Sequence, residues 1–404
     1  MSSIQKFSSY PLGQFEVHHY TTNAENMIPE KSVQHVRGLM TIQRDRHLVV
    51  GGVGYIPEKS VFQTYGISEN HPESKSAILG LDGVFVRAFV YNSIPYVLPY
   101  RPSTLSETKV GESKHFDRYL TQAGIKLNDL TPGWTYYFQI VHSSLSIGSN
   151  LSISTPVIVY YGRQQMVDES GNYKYSISNF KYEITDRKLE TEVATLKFDD
   201  IKNLMTEEKV QLPKIIYPVE LTIEQATYML NNDEAVLISN SDGLLKIINS
   251  GYDTRKSFRV PGQIARTCAN ILQAVVKENV RYQYQGKSIP TSDSTKVADA
   301  IDMCKYIYPK NYHRSIVMLH IILEHVRAKL PQLIMNDYMN KRWRINPRVE
   351  QICSQAYGYA KRMNNQNPVT MQQIHSNVIF LIEKENYQSL IKMNDYYKIE
   401  SLEF

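Results

Sequence analysis

Cysteine is scarce in this chain: three in 404 residues, Cys268, Cys304 and Cys353, all in the last third and none in a CxxC spacing. An odd count without a repeating interval excludes a disulfide framework, supplies no zinc ligand set and fits a reducing compartment. Long hydrophobic runs are missing as well. No stretch approaches the roughly 18 apolar residues of a membrane span, and the first twenty residues hold no apolar segment of signal-peptide length. The expectation is a soluble, cytoplasmic protein with no membrane partner. Neither sign of charge dominates, since 45 Lys and Arg against 40 Asp and Glu leave a net +5. That balance permits a polyanionic partner without requiring one. There is no Walker-type phosphate loop, no Ser-His-Asp or Cys-His arrangement, no internal repeat and no low-complexity linker.

What the chain has is length and tyrosine, 29 of the latter. Single cores rarely grow past roughly 250 residues, so two or three domains are expected. Residues 39–161 read as short strands, at 47–53, 83–91, 95–99, 135–141 and 155–161. Each is rich in Val, Ile, Phe and Tyr and bounded by Gly, Pro, Asn or Ser. Asn92-Ser93 joins two of them as a hairpin. Residues 163–215 read as charged strand-like pieces and loops. A helix is predicted at 222–231, with Thr222 as N-cap and Glu224 in its first turn. Strands at 235–239 and 244–248 come next, joined through Asp242-Gly243. After Pro261-Gly262 the apolar period changes from two to about 3.6, and helices are predicted at 264–280, 294–306, 312–330, 347–363 and 370–382. Asn346 before Pro347 is a start signal and Pro331 a stop. The organisation expected is a mixed α/β body at 1–260, then an all-helical domain at 261–404.

Five short patterns occur in a telling order. They are Arg37-Gly38-Leu39-Met40; Val49-Val50-Gly51-Gly52-Val53-Gly54-Tyr55; Gly80-Leu81-Asp82-Gly83-Val84; Tyr137-Phe138-Gln139-Ile140-Val141, running on to Val157-Ile158-Val159-Tyr160-Tyr161; and Asp233-Glu234-Ala235-Val236-Leu237, a hairpin turn, then Leu245-Lys246-Ile247-Ile248. The set resembles the RNA-ligase branch of the covalent nucleotidyltransferases, above all the RNA-ligase-like proteins of large DNA viruses. It covers roughly residues 35–260.

The resemblance implies an α+β nucleotidyltransferase core of twisted antiparallel sheets with flanking helices around a nucleotide cleft. It implies ATP and Mg²⁺ as cofactors, RNA or nucleotide and viral proteins as partners, and host cytoplasm or virion as the setting. In that family a lysine in K-x-D-G attacks the α-phosphate of ATP, an aromatic-rich strand holds the base, an E-G-hydrophobic motif supplies a carboxylate near the metal, and a late lysine touches the α-phosphate. On these terms Arg37, Asp82, Phe138, Glu234 and Lys246 are nucleotide-site candidates. Arg87 and Arg101, on or beside the hairpin that would floor the cleft, join them as phosphate ligands. The segment Ser250-Gly251-Tyr252-Asp253-Thr254-Arg255 resembles the stretch just after the late lysine in the viral relatives.

Three positions depart from the pattern. The nucleophile position holds Gly80, the acidic position of the aromatic strand holds Gln139, and the glycine of E-G holds Ala235. A lysyl-AMP intermediate needs a primary amine in line with the phosphate, and glycine offers none. Lys75 lies five residues upstream; in an extended chain that odd offset turns it to the opposite face, about 16 Å away. The expectation is a catalytically degenerate protein that binds nucleotide or RNA non-covalently. The rivals are an active ATP-dependent RNA ligase using another lysine, and a structural or assembly protein with a vestigial cleft.

Each candidate also has a plainer reading. Asp82-Gly83 alone is a turn, Lys246 a solvated strand residue, Glu234 a loop carboxylate, and Arg37, Arg87 and Arg101 ordinary surface arginines. Lys341-Arg342-Trp343-Arg344 with Arg348, flanked by Lys329, Lys361 and Arg362, is the densest basic patch. Arginine interleaved with an aromatic suits single-stranded nucleic acid, through phosphate pairing and stacking. The plainer reading is a charged helix connection with Trp343 in the core. His18-His19 reads as loop, and His313 and His320 share a helix face suited to core or interface rather than metal.

Overall fold

A computed structural model describes residues 7–12, 15–20, 39–42, 48–51, 58–61, 77–99, 113–175, 180–206, 210–240, 243–260, 263–284, 287–289, 295–364 and 368–402. The chain divides into two units, Met1–Ser257 and Phe258–Phe404.

The first unit holds three sheets. An antiparallel sheet at its start joins β1 (Phe7–Leu12), β2 (Phe15–Tyr20), β3 (Leu39–Ile42) and β4 (Leu48–Val50) in that order. His18 and His19 therefore lie in a strand, not the expected loop; His18 pairs with both Ser9 and Leu39. The second sheet contains β7 (Val84–Tyr91), β8 (Ile94–Pro99), β9 (Trp134–Val141), β10 (Val157–Gln165) and the short β11 (Ile215–Ile216), in the order β11-β10-β9-β7-β8. Asn92 and Ser93, at φ 50° and 60°, close the β7–β8 hairpin. Both have positive φ, as a two-residue turn matched to the strand twist requires.

The third sheet runs β12-β6-β13-β14-β5, from β5 (Glu58–Val61), β6 (Ala77–Leu79), β12 (Glu220–Leu221), β13 (Val236–Asn240) and β14 (Gly243–Asn249). Asn240 pairs with Gly243 across the β13–β14 hairpin; the two residues of its tip lie outside the described residues. Alternation sorts the second sheet's faces. Val86, Ala88, Tyr136, Phe138, Ile158 and Tyr160 pack with Leu120 of helix α1 (Ser113–Ala123), while Val157 and Val159 join the core of the third sheet. That core also takes Ile201 and Leu204 of α2 (Phe198–Thr206) and Ala226, Met229 and Leu230 of α3 (Ile223–Asn231). Helix α2 falls in the stretch expected to hold only strands and loops. At α3 the capping box is complete: Thr222 accepts from the Gln225 N–H and Gln225 reaches back to the Thr222 N–H, satisfying two otherwise orphaned donors.

The second unit is a helical region. It comprises the last residue of α4 (Ser250–Phe258), then α5 (Ile264–Leu272) passing into a π-helical turn (Gln273–Lys277), α6 (Lys296–Ile307), α7 (His313–Met339), α8 (Pro347–Met363), α9 (Met371–Glu383) and α10 (Tyr387–Tyr397). A small hairpin, Tyr282–Tyr284 with Lys287–Ile289, adds strand to a domain expected to be wholly helical. Pro331 does not stop α7, which runs through it. The missing N–H and ring clash cost about 3 kcal/mol. Leu330, Pro331, Ile334 and Met335 are all buried, and each large side chain so buried returns about 1.5–3 kcal/mol.

Candidate functional site

Asp82 is the meeting point of segments far apart in sequence. Strand β6 delivers Gly80, whose N–H donates to the Ala235 carbonyl at 2.8 Å just before β13. Two residues on, Asp82 is 5% exposed. Its Oδ2 accepts from Ser146 Oγ at 3.2 Å and from the successive N–H groups of Ile147, Gly148 and Ser149 at 3.1, 2.7 and 2.7 Å. Its Oδ1 lies 3.3 Å from Lys246 Nζ and accepts the Tyr252 hydroxyl at 2.5 Å. Burial alone would raise its pKa. Lys246, the Tyr252 hydroxyl and the Ser149 and Gly148 N–H groups outweigh it, and the carboxyl stays below its ordinary value.

The surroundings explain why these groups stay put. Lys246 projects from β14 over the Tyr252 ring, its Nζ 4.6 Å from the centroid. Tyr252 is fully buried on α4, which follows β14 without a break. A Cβ added to Gly148 would fall 2.5 Å from that ring, so only glycine lets the loop lie against it. Arg255, 2% exposed, clamps the assembly by donating through Nε to the Gly148 carbonyl at 2.6 Å and through Nη2 to the Asp233 carbonyl. Asp233 adopts φ 63°, a left-handed conformation that aspartate tolerates better than most. Next to it Glu234, 1% exposed, accepts the Asn150 N–H at 2.7 Å. Burial lifts the Glu234 carboxyl to about 7 against the opposing charge of Arg255.

The three departures are each built into this packing. A Cβ at Gly80 would stand 2.9 Å from the Ala235 carbonyl oxygen and 3.0 Å from its Cβ. Position 80 is thus closed to a side chain by the neighbouring backbone. Gln139 donates through Nε2 to the Leu81 carbonyl at 2.8 Å and accepts the Tyr161 hydroxyl at 2.8 Å. An ionised glutamate has no proton for the first of these bonds.

The structure brings together Asp82, Glu234 and Lys246. It separates the other candidates. Phe138 has no exposed surface and is enclosed with Tyr160, ring centroids 5.1 Å apart, on the α1 side of the sheet. It fills core rather than holding a base. Arg87 is 1% exposed and donates to the Gly51 carbonyl at 3.0 Å, with burial lowering its pKa to about 10. It braces β7 rather than reaching a phosphate in solvent. Arg37 and Arg101 lie outside the described residues, as do Lys75 and most of the second glycine-rich pattern. Sequence reasoning missed the 146–150 loop, whose serines and glycine carry no periodicity, and the roles of Tyr252 and Arg255, although their segment was singled out.

Mg²⁺ does not fit the donor set. Asp82 is ringed by N–H, hydroxyl and ammonium donors, and Glu234 accepts the Asn150 N–H beside the Arg255 charge; such surroundings repel a cation, and hard cations need open oxygen ligands. Among the described residues no group of three or more His, Cys, Asp or Glu is placed to hold a metal ion, and no helix is long and apolar enough to cross a membrane.

In the second unit Lys341, Arg342 and Arg344 are exposed at the turn between α7 and α8, with Lys341 at φ 58°. Trp343 is half-buried, 5.9 Å from the Tyr338 ring, and Arg344 lies over it at 5.0 Å. Arg348 is drawn away from this group: its guanidinium grips both oxygens of Glu385, which is 7% exposed. It braces α8 rather than offering charge to a ligand. Lys329 lies 3.6 Å from Glu400, and Lys361 and Arg362 stand at the far end of α8.

No family model and no curated protein matches the chain. Solved structures similar to it include two forms of an archaeal ATP-dependent RNA ligase. Form 2 is 9% identical over 72% of this chain and 70% of that one, with a TM-score of 0.32. Form 1 is 9% identical over 98% and 93%, with a TM-score of 0.31. A Naegleria gruberi RNA ligase mutant with ATP and Mn is 12% identical over 55% and 66%, with a TM-score of 0.23. Scores of this size fix no detail of the site.

Proposed function

We propose that this chain is a catalytically silent relative of RNA ligases, one that engages RNA or nucleotide non-covalently in a viral setting and forms no nucleotidyl adduct. The observation that carries this reading is Gly80, where the attacking amine is absent and Ala235 occupies the room a side chain would need. Covalent catalysis of this type requires an activated nucleophile at one defined place, and the carboxylate and lysine beside it are engaged with each other at 3.3 Å. The exposed Lys341, Arg342 and Arg344 supply cationic surface for a polyanion.

Incubation with α-labelled ATP and Mg²⁺, followed by denaturing electrophoresis, should leave the protein unlabelled. A covalent AMP adduct on any side chain would restore the ligase reading. A second reading, a structural protein with a vestigial cleft, is favoured by the engagement of Asp82 with Lys246 and of Glu234 with the Asn150 N–H. It predicts no binding of RNA at any salt concentration, whereas the first predicts binding that weakens as salt rises.

A further inference from the structure

Helices α8 and α9 lie antiparallel, and two contacts fix their register. Asn377 of α9 donates to the Ala356 carbonyl of α8 at 3.2 Å, and eight residues away along each chain Arg348 grips Glu385. The outward side of this pair is rich in apolar surface. Six of the sixteen exposed large apolar residues in the described chain fall between positions 357 and 380, among them Tyr359, Ile379 and Phe380. Apolar surface gathered in this way marks an interaction site.

The face carries its own complement. Counted from the Asn377–Ala356 contact, Tyr359 and Phe380 each lie three residues toward the C-terminus of their helix, and Arg362 and Glu383 each lie six. Because the helices are antiparallel, these steps run in opposite directions from one midpoint. A two-fold axis lying in the face and crossing both helices at that level sets Tyr359 of one copy against Phe380 of the other, and Arg362 against Glu383. Each contact then occurs twice, as an isologous interface requires. Within one chain Arg362 and Glu383 stand about 18 Å apart along the helix axes. Both are exposed, and neither has an ionic partner among the described residues. Near the midpoint Gly358 has nothing within 4 Å of where its Cβ would stand. Glycine weakens a helix interior, and no contact among the described residues calls for one here, whereas a facing helix could approach closely over it.

We infer that the α8–α9 face joins two copies of this chain in a two-fold symmetric dimer. A helix pair of this length offers a face of about 25 by 19 Å, less than the roughly 800 Å² per partner of a standard interface. The dimer is accordingly weak and reversible, with a Kd on the order of micromolar. It is independent of what the first unit binds.

Sedimentation equilibrium of the full chain between about 1 and 200 µM spans that range. The wild type should pass from one chain to two. Arg362→Glu and Glu383→Arg should each weaken association at least about tenfold, because like charges then face each other across the axis. Combining the two reversals should restore association to within about threefold of wild type, since every reversed charge again meets its opposite. Their separation within one chain leaves only contact between copies to explain that rescue. Phe380→Ser should weaken the dimer as well, and all four variants should melt with the monomeric wild type, the altered side chains being exposed. A wild type that stays monomeric throughout overturns the inference. So does a dimer that ignores the reversals, or a double variant that associates no better than the single ones. If Phe380→Ser instead lowers the affinity of a monomer for single-stranded RNA, the face belongs to RNA and the dimer is again overturned.

Discussion

Glu234 and Asp82 share one cluster, and their pKa values are shifted in opposite directions. Burial raises the Glu234 carboxyl from 4.5 to about 7, so the folded chain binds its proton more tightly than the unfolded chain. The stability this contributes is full below pH 4.5 and is lost as pH climbs through 7. Asp82 is depressed below 3.8, so its contribution is present at neutral pH and lost as acid titrates the folded carboxylate. Glu234→Gln keeps an acceptor for the Asn150 N–H while removing the charge. It should stabilise the protein above pH 7 by on the order of 2–3 kcal/mol and flatten the decline between pH 4.5 and 7, read as urea midpoint against pH. A variant with an unchanged slope would show that another group titrates in that window. At Gly80 the expected outcome is loss. Gly80→Ala should cost roughly 1–3 kcal/mol by overpacking against Ala235, and Gly80→Lys should cost at least as much while gaining no labelling by ATP. This contact shows how far a residue can speak for itself. That position 80 carries no side chain was legible, but the closeness of Ala235, a long-range fact, was not.

Elements whose rules are local could be read directly. The Asn92-Ser93 hairpin, the Thr222 cap and the Asn346-Pro347 start all depend on neighbours within four residues, and the structure contains each of them. Thr370 closes a second capping box with Gln373 at the head of α9. Thr370→Ala should therefore cost about 1 kcal/mol, seen as a lower melting temperature, with Thr370→Ser close to wild type. Elements decided by distant partners were less legible. Helix α1 carries its apolar residues at Phe116, Tyr119, Leu120 and Ala123, a helical period, but only eleven residues long and embedded among strands. Pro331 obeys the local rule in losing its N–H and overrides it through burial. Strands β11 and β12, two residues each, exist only because β10 and β6 lie beside them.

For the molecule as a whole, the change of period near residue 260 announces two kinds of architecture, because periodicity reports which face of each element meets a core. How candidate residues combine does not follow from it. Arg348 belonged to the basic patch by sequence and to Glu385 by structure. The exposed cations give a quantitative expectation for RNA. Converting Arg342 and Arg344 to glutamine should reduce the log–log salt slope of single-stranded RNA binding by about 1.4, the share of two phosphate contacts. The same change at Arg348 should leave the slope alone and lower stability instead. Filter binding across a salt series separates these, and an unchanged slope in the double variant would place the RNA elsewhere.

The third sheet has one further consequence, for synthesis on the ribosome. Strand β5, at residues 58–61, pairs in parallel with β14, and β6, at 77–79, waits for partners at 220–221 and 236–238. Strand β6 has no neighbour in its sheet until residues 220–221 have been made, and β5 has none until the polypeptide reaches Asn249. Open strand edges invite pairing with other chains, and contacts so remote in sequence form late. The nascent body is thus expected to pass much of its translation open to aggregation, and fragments ending before β14 should be insoluble where the full chain is not.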